Sequence, residues 1–152
     1  MSTVLNNSGF KFPKEEKLHH RSLVNGLFSK GKSFFEFPFR AAWRPVTHDE
    51  LTKNFRNIVP PGIGKVQFLV TVPKKKRKKA VDRVLMRRRI KEAYRLNKHM
   101  LQAAALKDDD LATLSVAIIY SHDKNLEFKT VEEKMKNVIF KISQKLEKCQ
   151  ES

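Results

Sequence analysis

Apolar and polar positions alternate regularly in six stretches of the chain, and each stretch predicts an element. From Lys14 the spacing of Leu18, Leu23, Val24, Leu27 and Phe28 is helical, with Pro13 at the entry and Gly31 placed to close the helix in a left-handed cap. Ser33 to Arg44 is dense in aromatic residues and favours strand, while Pro38 within it requires an edge position, a bulge or a split into two short strands. Lys65 to Val72 is rich in β-branched residues and puts Val66, Phe68, Val70 and Val72 on one face. Ala80 to Leu106 contains neither Pro nor Gly and predicts one helix, with Met86, Ile90, Ala93, Tyr94 and Leu101 gathered on its core side. Leu114 to Tyr120 predicts a second buried strand. Thr130-Val131-Glu132-Glu133 has the form of a capping box opening a last helix, whose core stripe is Val131, Met135, Val138, Ile139, Ile142 and Leu146.

The order strand, helix, strand over residues 65–120 predicts a β-α-β crossover with parallel strands, so the fold class is α/β. A flexible arm at residues 1–13, a single domain at 14–147 and a flexible tail at 148–152 complete the division. Residues 45–64, with Pro45, Pro60, Pro61, Gly62 and Gly64, predict a connecting loop.

Charge changes the picture more than composition does. The 152 residues carry a formal net charge of +16. From Lys74 to Arg95 there are 12 Lys or Arg (Lys74, Lys75, Lys76, Arg77, Lys78, Lys79, Arg83, Arg87, Arg88, Arg89, Lys91 and Arg95) against Asp82 and Glu92, so 12 − 2 = 10 of those charges sit in one segment. Such a density repels itself unless solvent or a polyanion neutralises it. On the helix, Arg87, Lys91, Arg95 and Lys98 follow one another at spacings of four and three, with Arg88 beside them and Arg83 and Arg89 at the flanks. A rod with one apolar stripe and one Arg-rich stripe is suited to lean on a sheet and offer guanidinium groups to phosphates. An ordinary solvated helix would mix acids with bases on that face, and this one has almost none to mix.

Other chemistry is thin. The single Cys149 excludes an internal disulfide and any multi-cysteine zinc site. His19, His20, His48, His99 and His122 share no motif with a nucleophile or a carboxylate, so no side-chain active site is predicted. Gly62-Ile63-Gly64-Lys65 fails the spacing of a phosphate-cradling loop, and Asp108-Asp109-Asp110 is a turn, because consecutive carboxylates cannot converge on one ion. No metal site is predicted. No stretch approaches the ~20 apolar residues of a membrane span, and residues 1–13 hold no apolar signal core, so a cytoplasmic location is expected.

The run Lys79-Ala80-Val81-Asp82-Arg83-Val84-Leu85-Met86-Arg87-Arg88-Arg89-Ile90, continued by Glu92-Ala93-Tyr94-Arg95, resembles the signature helix of the bacterial ribonuclease P protein component, in a Bacteroidetes-like form. One departure stands out: the family's Asn and second Arg fall on Val84 and Leu85. Lys17-Leu18 to Phe28-Ser29-Lys30-Gly31-Lys32-Ser33 also matches the family's first helix and the turn after it. The resemblance runs from about Pro13 to about Glu147. It implies an α+β sandwich of helix, three or four strands, helix, strand and helix, with a left-handed crossover. It further implies a subunit that binds the catalytic RNA and the 5′ leader of precursor tRNA, whose endonucleolytic 5′ maturation the RNA performs with Mg²⁺ held mainly by the RNA. No cofactor bound by the protein alone, no membrane and no obligate protein partner are implied. The Lys74–Lys79 run and the Arg and Lys residues of the helix would hold the RNA. A leader cleft would comprise Val24, Phe28, Lys32, Arg40 and Trp43, with Phe28 at an aromatic contact position and Val24 where relatives often have a second Phe. Aromatic rings beside Arg40 and Arg44 stack on unpaired bases in that reading, whereas by composition alone they are core.

Two other readings compete. Pro73-Lys74-Lys75-Lys76-Arg77-Lys78 has the form of a nuclear-import signal, which a carrier binds as an extended peptide; the chain would then be a nuclear DNA- or RNA-associated basic protein. A general nucleic-acid chaperone would use the same helix without partner specificity.

Overall fold

A computed structural model describes residues 12–56 and 58–151, with side chains through residue 148. The arm expected at 1–13 therefore lies outside the described residues up to residue 11, as does Ser152 of the tail. Four strands, β1 (Lys32–Glu36), β2 (Phe39–Thr47), β3 (Val66–Thr71) and β4 (Leu111–Tyr120), form one sheet in the order β1-β2-β4-β3. β1 and β2 are antiparallel, β2 and β4 are antiparallel, and β3 and β4 are parallel, as the strand, helix, strand order predicts. The helices are α1 (Arg21–Lys30), α2 (His48–Asn54), α3 (Ala80–Asn97), α4 (His99–Leu106) and α5 (Phe128–Glu151), preceded by a 3₁₀ turn at Lys14–Glu16.

Strand alternation divides the core in two. Phe39, Ala41 and Trp43 of β2 join Phe68, Val70, Val116 and Ile118 on the face covered by α3, α4 and α5, where Met86, Ile90, Tyr94, Met135 and Ile142 meet them. Ala42, Val46 and Ala117 point the other way, under Leu23 and Leu27 of α1 and Leu51 of α2. The aromatic stretch splits at Pro38, whose peptide bond with Phe37 is cis, into β1 and β2. Small residues let α1 approach the sheet: a methyl at Gly26 would overlap the Arg44 guanidinium, which lies buried beneath the helix.

Several boundaries differ from the sequence expectation, each for an identifiable reason. Gly31 has φ −76°, ψ 168°, so it is no left-handed cap; glycine is needed there because a Cβ would stand 3.1 Å from the Trp43 carbonyl oxygen and press on the Leu27 carbonyl. The predicted helix over 80–106 is two helices that meet at Lys98. Lys98 is only 2 % exposed and donates to Glu16 at 2.6 Å, while Asn97 Nδ2 donates to the Ala93 carbonyl at 2.8 Å and to Glu132 at 3.1 Å. That long-range pairing turns the chain where local composition would let it continue. Lys98 is thus a core tether and no part of the cationic face.

The capping box is also elsewhere. α5 starts at Phe128, with the Val131 N–H donating to the Glu127 carbonyl at 3.0 Å, so Thr130 is already inside the helix. The helix begins early because Leu126 and Phe128 pack on the core. It is helical through Glu151, across most of the residues expected to form a tail. The capping box that does form is Thr47 with Glu50: the Glu50 N–H donates to Thr47 Oγ1 at 3.3 Å and the Thr47 N–H to Glu50 Oε1 at 3.4 Å. It starts α2 inside the segment expected to be loop. Burial pushes the Glu50 carboxyl up, but the Thr47 N–H and the Arg44 guanidinium at 2.9 Å outweigh it and hold the group below its ordinary value. Thr47→Ala is expected to lower stability by about 1 kcal/mol, the usual worth of such a cap, seen as a lower urea midpoint at unchanged m.

Candidate nucleic-acid interface

The Lys74–Lys79 segment is delivered by β3, whose inward residues anchor it in the core, and it feeds straight into α3. It is a closed turn: the N–H groups of Lys76 and Arg77 both donate to the Pro73 carbonyl at 3.1 Å. Arg77 pairs with Asp82 at 2.9 Å and donates to the Asp123 carbonyl, tying the turn to the loop before α5. An import carrier needs an extended peptide, so this conformation disfavours that alternative. Lys75, Lys76, Lys78 and Lys79 line a basin of about 520 Å³ together with Arg77, Asp82 and Asp123.

On α3 the basic residues divide by their partners. Arg83 donates to the Arg77 and Lys78 carbonyls at 2.9 and 2.8 Å, and Arg89 donates to the Leu126 carbonyl, so both brace neighbouring loops. Arg95 forms a double hydrogen bond with Glu92, at 3.0 and 2.7 Å, which lowers the Glu92 pKa and raises that of Arg95. Among the described residues no carboxylate pairs with Arg87, Arg88 or Lys91, nor with Lys74, Lys75, Lys76, Lys78 or Lys79. Arg87 and Lys91 also border a small crevice with Lys17, Phe12 and Leu69 at the open side of β3. The turn and the later outward residues of α3, Arg87, Arg88 and Lys91, thus carry cations that the protein's own acids leave largely unneutralised.

A second open surface lies on the α1 side of the sheet. The register aligns Phe35, Arg40, Ile119 and Thr71 in one row across all four strands, on the same face as Ala42 and Ala117. α1 covers the next row along and leaves this one bare: Phe35 is 56 % exposed, and Arg40 and Thr71 are exposed. Phe28, on α1, is 52 % exposed, while Val24 packs partly into the core beneath it. The row ends at Thr71, three residues before the Lys run begins at Lys74.

The five residues expected to line one cleft do not share a face. Val24, Phe28 and Arg40 lie on the α1 side. Trp43 is 1 % exposed and points to the opposite face, because it stands three positions after Arg40 in a strand whose side chains alternate. Lys32 pairs across the strands with Trp43 and its ammonium lies 5.5 Å from the indole centre, so it too is on that other face. Phe35 is the residue the sequence reading passed over. Its alternation with Phe34, which packs on the core, was the available signal.

No helix among the described residues is long and apolar enough to cross a membrane, and none of their His, Cys, Asp and Glu side chains form a group of three or more that could hold a metal ion.

The family model described as Ribonuclease P matches residues 12–143. The ribonuclease P protein components of two Porphyromonas gingivalis strains, W83 and ATCC 33277, are each 30 % identical over 134 residues, 88 % of this chain and 88 % of theirs. Among solved structures, the Staphylococcus aureus RNase P protein superposes with a TM-score of 0.57 at 16 % identity, covering 84 % of this chain and 94 % of that one. The Thermotoga maritima RNase P protein gives 0.56 at 21 % identity, covering 82 % and 94 %. At those identities the structures establish the shared fold, and the family match extends across both surfaces described above. The chain therefore belongs to the ribonuclease P protein family, and its role is that of the protein subunit that works with ribonuclease P RNA in the 5′ maturation of tRNA.

Proposed function

We propose that the two open surfaces divide the work of this subunit. The Lys74–Lys79 turn and the outward residues Arg87, Arg88 and Lys91 grip phosphates of ribonuclease P RNA. The bare sheet row of Phe35, Arg40, Ile119 and Thr71, with Phe28 on α1, takes the single-stranded 5′ leader of precursor tRNA. Arg83, Arg89 and Arg95, bonded within the protein, set the shape of the first surface. The observation that carries this reading is the set of unpaired cations on α3 and its preceding turn, since phosphates are the counter-charge such a surface lacks.

Chemistry in this reading belongs to the RNA, with Mg²⁺ held mainly by it and activating water at the scissile phosphodiester. The protein's share is electrostatic and positional. Its cations screen phosphate repulsion where RNA strands converge, and an exposed ring contributes about 1–3 kcal/mol for each unpaired base stacked on it. Arg40, at the centre of the row, is placed for the leader backbone. No cofactor bound by the protein alone and no obligate protein partner are needed.

The test compares precursor tRNA with and without its leader as ligands of the holoenzyme reconstituted with ribonuclease P RNA. Tighter binding of the leader-bearing form, lost in Phe35→Ala/Arg40→Gln, is expected. Equal affinity for both forms would remove the leader role, and binding insensitive to the RNA subunit would favour a general chaperone.

A further inference from the structure

The outward side of α3 changes character along its length. Towards its C-terminal end it carries Arg88, Lys91 and Arg95, but its first two turns present Val81, Val84 and Leu85. Val81 is 77 % and Val84 41 % exposed. With Ala80 and Arg88 they line a shallow depression of about 410 Å³ that is almost wholly apolar. At 100° per residue Val81, Val84, Leu85 and Arg88 fall within one sector, away from the core residues Met86, Ile90, Ala93 and Tyr94. β-branched residues are modest helix formers, so two exposed valines at the start of a basic helix do nothing for the helix itself.

The surroundings select the occupant. Arg88 lines the depression, and Lys78 and Lys79 immediately precede Ala80 in the chain; none of the three is paired with a carboxylate among the described residues. An apolar protein segment would bring little to neutralise them. A nucleic-acid strand brings phosphates on a backbone and, where a nucleotide is unpaired, a flat apolar base.

We propose that this depression seats an unpaired nucleobase of ribonuclease P RNA against Val81, Val84 and Leu85, while Lys78, Lys79 and Arg88 hold the flanking phosphates. The proposal rests on the RNA-binding reading of α3 and adds a contact that charge alone does not supply. It also gives a role to Val84 and Leu85, which stand where the resembling family has polar residues. The two contributions separate in their salt dependence: phosphate contacts set the slope of log affinity against log salt, whereas an apolar contact shifts affinity at constant slope.

The test titrates ribonuclease P RNA with the full chain and with V81T/V84T, which keeps the β-branched shape and the fold and adds two hydroxyls. About tenfold weaker binding is expected, the scale of losing a few buried methyl contacts, with the salt slope unchanged. Chemical probing of the RNA bases should show one unpaired position that the wild-type chain protects and the variant does not. Unchanged affinity, or a loss accompanied by a shallower slope, would overturn the proposal. So would wild-type self-association without RNA that the variant abolishes while RNA affinity is retained, since the patch would then join copies of the chain. A wild-type chain with no salt-dependent affinity for the RNA would fail the RNA-binding reading itself, and this proposal with it.

Discussion

Replacing Arg87, Arg88 and Lys91 together with glutamine should weaken binding to ribonuclease P RNA by about 10²–10³-fold near 0.1 M salt and leave the fold unchanged. The magnitude follows from counter-ion release: three phosphate contacts contribute a salt exponent of about −2.7, and 0.1 M raised to that exponent is several hundred. The fold should survive because none of the three side chains makes an ion pair within the described residues, and glutamine is nearly as good a helix former as the residues it replaces. Circular dichroism and thermal unfolding would show an intact protein, and titrations at several salt concentrations would show a slope shallower by about three. The same change at Arg83 and Arg89 should act differently. Those guanidiniums hold the Lys78 and Leu126 carbonyls, so their loss is expected to loosen the turn and the start of α5.

Trp43→Ala is the second large effect, and it falls on stability. A fully buried indole on the face shared with α5 leaves a cavity worth about 3–5 kcal/mol, comparable with much of the net stability of a domain this size. The variant should unfold at low urea and bind RNA poorly only because little of it is folded. Phe35→Ala should do the reverse, with stability within about 0.5 kcal/mol of wild type and the preference for leader-bearing substrate reduced. The pair separates the two uses of aromatic rings in one stretch of sequence. A stable Trp43→Ala protein with impaired leader binding would place the cleft on the wrong face of the sheet.

That contrast shows where sequence patterning informs and where it stops. The basic segment, the strand that delivers it and the parallel β3-β4 pair were legible because they depend on local charge, β-branched content and element order. The apolar stripe of α3 was legible from its period. Assigning Arg40 and Trp43 to one cleft failed because proximity in sequence overrode the alternation of a strand, which separates even from odd positions. Lys98 was misplaced on the cationic face because its partner, Glu16, is 82 residues away and no local pattern announces that contact. The break at Lys98 was hidden for the same reason. Thr47-His48-Asp49-Glu50, by contrast, is a capping box visible in the sequence, overshadowed by the prolines around it. Phe35 needed only the alternation Phe34 in, Phe35 out.

The departure at Val84 and Leu85 acquires a physical meaning from the structure, since the two residues help build an exposed apolar depression at the head of the most basic helix. Under the proposal, affinity for RNA has two components on one helix, charge towards its C-terminal end and apolar contact at its start, which the Arg87/Arg88/Lys91 and Val81/Val84 variants address separately.

Cleavage of precursor tRNA by the reconstituted holoenzyme, followed as a function of Mg²⁺ concentration, tests the central claim most directly. If α3 supplies cations that RNA strands otherwise draw from solution, Arg87→Gln/Lys91→Gln should need more Mg²⁺ for half-maximal cleavage than wild type, and saturating Mg²⁺ should restore much of the rate. An identical Mg²⁺ requirement for the two proteins would contradict the account.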